Sequence, residues 1–238
     1  MNDKRQALDR PDPVSGDRRW GSDLMAEAIR SLGVEFVTLN PWSSFRGLHD
    51  SLVNHLGNRD PQMLLCLHEE HAVSIAHGWA KVTGKPMAVI LHANVGLMHG
   101  SMAIYNAWCD RVPMVIFGAT GPVDADKRRP WIDWIHTSRD QAALVRPFVK
   151  FDDQPASLPA SLDGILRAHA ITSTAPHAPT YVCFDVTVQE TEAHSDIALP
   201  DPALFRPPAP PAATPDQIDR LRSLLDRAGR PVFLMGRM

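Results

Sequence analysis

The chain has 238 residues, 44% hydrophobic and 21% charged, which excludes a collagen-like, coiled-coil or wholly disordered polymer. A formal net charge of −3 offers no general attraction to phosphate polymers or anionic membranes, so neither nucleic acid nor a membrane surface is an expected partner. Three cysteines (Cys66, Cys109, Cys183) leave one unpaired under any single disulfide and form no CxxC, which argues against a secreted disulfide scaffold.

The first twenty residues are polar and charged, with Pro11 and Pro13, and carry no apolar run of the kind a signal peptide needs. They read as a flexible tail (1–20), and a cytoplasmic location is expected. Ser22 is a plausible N-cap for a helix with Leu24, Ala28, Ile29 and Leu32 at helical spacing and Gly33 as its stop. A strand VEFVT (34–38), a helix over 44–55, a strand MLLCL (63–67), a helix over 69–82 and a strand MAVIL (87–91) follow. A helix over 99–108 and a strand PMVIF (113–117) continue the alternation.

The polar stretch GPVDADKRRPWIDWIHTSRD (121–140) is expected to be an ordered loop, with Trp131 and Trp134 at helical spacing. A short strand at FVKF (148–151), a helix over 157–170 and a strand TYVCFDV (180–186) complete the pattern. Nearly continuous apolar strands separated by helices predict an α/β fold: a doubly wound parallel sheet with helices on both faces, spanning 21–187. Residues 188–214 lose periodicity and contain LPDPALFRPPAPPAATP, a proline-rich linker. Thr214 and Pro215 then open an amphipathic helix ended by Gly229, and PVFLMG (231–236) reads as a strand, so 215–238 is expected to begin a central domain.

In open parallel sheets ligands gather beyond the carboxyl ends of the strands. Ser43 and Ser44 follow the first strand in LNPWSS, His68, Glu69 and Glu70 follow the second, and His92 and Asn94 follow the third. Glu69 carries two readings: an acid partly desolvated at a strand end, which raises a carboxyl pKa, or a carboxylate that merely favours a helix N-terminus by about 0.3–1 kcal/mol. His92 is likewise either a hydrogen-bonded structural residue or a catalytic one. There is no GxSxG elbow for a serine hydrolase. HEEHxxxxxH is not HExxH, so a metal held by this chain is not expected despite eleven histidines. VIFGATGP lacks the third glycine and the following apolar helix of a dinucleotide loop, and a tight turn fits it better.

The run LHEEHAVSIAHGWAKVTGKPMAVILHANVGLMHGSMAIYNAWCDRVPMVIFGATGP (67–122) resembles the pyrimidine-binding domain of thiamine-diphosphate enzymes of the acetolactate synthase and benzoylformate decarboxylase superfamily. The similarity extends over about 22–186, and the proline-rich segment with GRPVFLMG resembles the passage into that family's central domain. The resemblance implies that Glu69, nine positions before Gly78, hydrogen-bonds N1′ of the cofactor's aminopyrimidine and favours the tautomer that deprotonates the thiazolium. It implies cofactor-side positions for Pro41 and Asn94, and substrate-side positions for Ser43, His92 and Trp42, with His92 and Ser43 orienting a carboxylate and relaying protons. Trp42 departs from the family, whose relatives usually carry glycine there.

A 2-oxo acid is the implied substrate, by decarboxylation with or without carboligation. The family's diphosphate and Mg²⁺ are held through a GDG segment that this sequence lacks. If the chain is complete, another polypeptide is expected to hold them; otherwise the chain belongs to a homo-oligomer of a longer enzyme. A non-catalytic partner domain of an intact family enzyme is the alternative expectation.

Overall fold

In the computed structural model, which describes residues 17–193 and 197–236, six strands form one all-parallel sheet in the order β2-β1-β3-β4-β6-β5. The strands are β1 (Phe36–Leu39), β2 (Gln62–Leu65), β3 (Met87–Leu91), β4 (Met114–Thr120), β5 (Phe151–Asp153) and β6 (Pro179–Asp185). The helices are α1 (Gly21–Ser31), α2 (Arg46–Asp50), α3 (Glu69–Thr83), α4 (Ala93–Cys109), α5 (Ile132–Ile135), α6 (Leu158–Thr172), α7 (Val186–Glu190) and α8 (Pro215–Arg227). This is the expected doubly wound arrangement.

The apolar runs of the central strands explain the double layer. Successive side chains on a strand point to opposite faces. Ala88 and Ile90 of β3, with Val115 and Phe117 of β4, enter one core with Leu24 and Ile29 of α1 and Leu162 and Ile165 of α6. Met87, Val89 and Leu91, with Met114 and Ile116, enter the other with Val73 and Ala76 of α3 and Leu97 and Ile104 of α4. A strand apolar on both faces has to be covered on both, and here it is.

Several boundaries differ from the sequence expectation. The helix expected over 44–55 is three pieces: a 3-10 turn (Ser43–Phe45), α2, and a π-helical turn (Ser51–His55) closed by the Leu56 N–H on the Ser51 carbonyl at 2.9 Å. Polar anchoring accompanies the break, because the Ser51 hydroxyl bonds the Asp23 carboxylate on α1 at 2.7 Å. α4 begins at Ala93, six residues before the expected start at His99. Gly96 and Gly100 lower helix propensity there, yet both are buried, and a Cβ on Gly100 would lie 3.2 Å from the Leu91 side chain.

The tail expected over 1–20 lies mostly outside the described residues; within them, Trp20 forms an antiparallel bridge with Glu192. The stretch expected to be a linker (188–214) begins inside α7, taking its last three residues, and its Val188, Ala193, Ile197, Leu199 and Phe205 pack on the α1 side of the core. α8 forms as expected, capped by the Thr214 hydroxyl on the Gln217 N–H. Pro231–Gly236 does not form the expected strand, since no described strand lies beside it to share a hydrogen-bond ladder. No helix among the described residues is long and apolar enough to cross a membrane.

Candidate active site

Because all six strands run the same way, their carboxyl ends share one edge. β1 lies between β2 and β3, so the residues just after these three strands converge. Glu69 is the first residue of α3, and its residue surface is only 4% exposed. The preceding residue, His68, caps the helix: its Nδ1 accepts the Glu70 N–H at 3.1 Å. The positive end of the helix dipole lies at Glu69, which makes a buried acid tolerable there.

One carboxylate oxygen, Oε1, accepts the Asn40 side-chain amide at 3.2 Å. The other makes no hydrogen bond to any described residue. Gly96 of α4 lies against the same side chain, where a Cβ would stand 3.1 Å from Oε1. Glu69 is thus a shielded acid with one oxygen available to a ring nitrogen or N–H, which fits the aminopyrimidine that the sequence resemblance implies.

His92, at the end of β3, is 2% exposed. Its Nδ1 is 2.8 Å from the Ser44 hydroxyl, and its Nε2 is buried without a partner. The Trp42 indole stacks on its ring at 4.8 Å between centroids and 12° between planes, while His136 faces it at 4.8 Å and 55°. Burial pushes the His92 pKa down to about 4; the neighbouring His136 adds to this and Glu69 opposes it.

His136 follows α5 and donates its Nδ1–H to the Ile132 carbonyl at 2.8 Å. Asp133, the buried residue of α5, is held below the usual carboxylate range by the Arg129 guanidinium, which bonds both its oxygens. Ser43, Ser44, His92, Gly121, Asp133 and His136 are among the residues lining a cavity of about 10 Å³, room for roughly one water.

The other expected residues fall as follows. Trp42 is half-exposed over His92, and Ser43 is exposed at the cavity rim. Asn94 spends its side chain locally: Oδ1 accepts the Val95 N–H at 3.0 Å, and Nδ2 donates to the Ile135 carbonyl at 3.3 Å, tying α4 to α5. Pro41 is exposed. The structure therefore joins Glu69, His92, Trp42 and Ser43 in one region and gives Asn94 a bracing position.

Sequence reasoning did not single out Asn40, Gly96 or His136 as site residues, nor Ser44 as the partner of His92. Asn40 was discoverable as the residue directly following β1. His136 carried no local signal, because it reaches His92 only through the fold of the polar loop. Among the described residues no group of three or more His, Cys, Asp or Glu is arranged to hold a metal ion.

Comparison with known proteins gives a consistent picture. The family model for the thiamine pyrophosphate enzyme, N-terminal TPP binding domain, matches residues 19–144. An acetolactate synthase large subunit from Mycobacterium tuberculosis is 31% identical over 90% of this chain and 37% of its own length. A benzoylformate decarboxylase from Pseudomonas aeruginosa is 28% identical over 74% of this chain and 32% of its own. The solved thiamine diphosphate-dependent 4-hydroxybenzoylformate decarboxylase of Rhodococcus jostii RHA1 shares the fold, with a TM-score of 0.72 and 24% identity over 89% of this chain and 38% of that one. The chain spans about a third of the length of the curated relatives it matches.

Proposed function

The chain belongs to the thiamine pyrophosphate enzymes through their N-terminal TPP-binding domain, and on that premise we propose that it is the pyrimidine-binding part of an enzyme that decarboxylates a 2-oxo acid, with or without carboligation. The observation that carries this reading is Glu69: a buried carboxylate at the carboxyl edge of the sheet, braced by Asn40 and with one oxygen uncommitted. When bound, thiamine diphosphate supplies the electron sink that decarboxylation needs.

The part of this chain is to orient and to exchange a proton. Glu69 would share a proton with the aminopyrimidine N1′, and its shielding from water strengthens that hydrogen bond. Asn40 keeps Oε1 occupied, so that the free oxygen is the one presented. His92, Trp42 and Ser43 would face the substrate. The diphosphate and Mg²⁺ would be held by a second chain or a further domain, in a hetero-complex or a homo-oligomer of a longer enzyme.

A second reading, a non-catalytic partner domain, draws on one observation: Trp42 covers one face of His92, and the cavity beside that ring has room for about one water. The two readings separate in one experiment. Native mass of the purified assembly, with thiamine diphosphate and Mg²⁺ quantified in the same sample, is expected to show stoichiometric cofactor together with a diphosphate-binding part. A cofactor-free assembly, or a partner that turns over substrate at its full rate alone, would overturn the catalytic reading.

A further inference from the structure

The hydrogen bonds around Ser44 determine which nitrogen of His92 carries its proton. The Ser44 hydroxyl oxygen accepts the Ala93 backbone N–H at 3.2 Å and lies 2.8 Å from His92 Nδ1. A hydroxyl has a single proton to give, and among the described residues Nδ1 is the one acceptor within its reach. Were Nδ1 to carry a hydrogen, it would donate to an oxygen already accepting from Ala93, and the hydroxyl proton, 6% exposed with its residue, would have no acceptor. Placing the hydroxyl proton toward Nδ1 and the imidazole proton on Nε2 leaves one group without a partner, the Nε2–H, where the alternative leaves two, the hydroxyl proton and the Nε2 lone pair. That Nε2 is buried and has no partner.

Resting on the functional reading above, we propose that Ser44 is a positioning residue that locks His92 in its Nε2–H form and makes it a fixed hydrogen-bond donor to an oxygen of the 2-oxo acid. The role differs from a proton relay, in which one ring nitrogen must alternate between carrying and releasing a proton. Three features hold the ring in place for it. Trp42 stacks on one face, Ser44 anchors Nδ1, and Gln189 anchors Ser44 by donating from Nε2 to its carbonyl at 3.1 Å.

The charged and titratable groups around the ring are Glu69 and His136, with Arg129 and Asp133 across the cavity. Of these, the two last-named neutralise each other. The burial that disfavours the imidazolium keeps the ring neutral at physiological pH, so its Nε2–H remains a donor without becoming a strong acid. A buried unpartnered N–H discriminates in favour of a ligand that brings an acceptor, and the carboxylate and keto oxygens of a 2-oxo acid are acceptors.

The test is long-range ¹⁵N–¹H correlation spectroscopy of the histidine-labelled protein, as purified, at pH 7. His92 is expected to show an unprotonated Nδ1 and a protonated Nε2, and Ser44→Ala is expected to give a mixture of both tautomers. Adding pyruvate or benzoylformate is expected to shift the Nε2–H proton of the wild type. A protonated Nδ1 in the wild type overturns the proposal regardless of how the variant folds, and so does a Ser44→Ala protein with an unchanged tautomer. The expected tautomers with no response to either 2-oxo acid would instead overturn the 2-oxo acid as the acceptor, and with it the reading of the site on which the proposal rests.

Discussion

Glu69 and Gly96 are in contact across the interface of α3 and α4: a Cβ added to Gly96 would lie 3.1 Å from Glu69 Oε1 and 3.0 Å from the His92 Cβ. Gly96→Ala therefore sets two effects against each other. Alanine gains up to about 1 kcal/mol of helix propensity, while overpacking a closed site costs about 1–3 kcal/mol. The Glu69 carboxylate can swing away, but the His92 Cβ is fixed to its backbone, so the clash is expected to win. Thermal unfolding should show a net loss of about 1 kcal/mol and a lower melting temperature; a variant as stable as the wild type would contradict the packing described.

Burial of His92 couples stability to pH. The ring titrates near 6.5 in the unfolded chain and at about 4 in the fold, so between these values the unfolded state binds more protons. Its contribution is fully present above pH 6.5 and is lost as the pH falls toward 4. The full span corresponds to roughly 3 kcal/mol. Urea midpoints measured at pH 7 and pH 4.5 should fall further for the wild type than for His92→Asn, and equal falls would remove His92 from the acid sensitivity.

Trp42 shields one face of that ring. Trp42→Ala admits water to it and lessens the desolvation that depresses the pKa. An NMR titration should find the His92 midpoint raised from its wild-type value toward 6.5. No movement would mean that the indole does not shield the ring.

Thr172 links β4 to the end of α6. Its buried hydroxyl accepts the Met114 N–H at 2.9 Å and lies 2.6 Å from the Ala178 carbonyl. Thr172→Val keeps the shape but leaves the Met114 N–H without that acceptor, at a cost of about 1–3 kcal/mol. Chemical denaturation should register this as a lower midpoint with an unchanged slope, and an unaltered midpoint would show that the bond is dispensable.

What could be read from the residue order was the part written in local chemistry. Two-sided apolar strands such as Met87–Leu91 announce a buried parallel sheet, and that sheet in turn brings Glu69 and His92 to one edge. The start of α4 was hidden because Gly96 and Gly100 lie there for close packing, against the usual preference of helices. Pairings such as Ser44 with His92, or His136 with His92, join residues distant in sequence and depend on loop conformation. Pro231–Gly236 shows the converse: an apolar run suited to a strand forms none among the described residues without a neighbour to complete its hydrogen bonds.

The most direct test of the central claim is turnover of a panel of 2-oxo acids by the purified assembly carrying Glu69→Gln, with bound thiamine diphosphate quantified alongside. The substitution keeps the volume of the side chain and its place beside Asn40 while removing the acid. A loss of at least about a hundredfold in cofactor-dependent CO₂ release, with assembly intact, is the predicted result. Undiminished turnover would contradict the account and remove Glu69 from the chemistry.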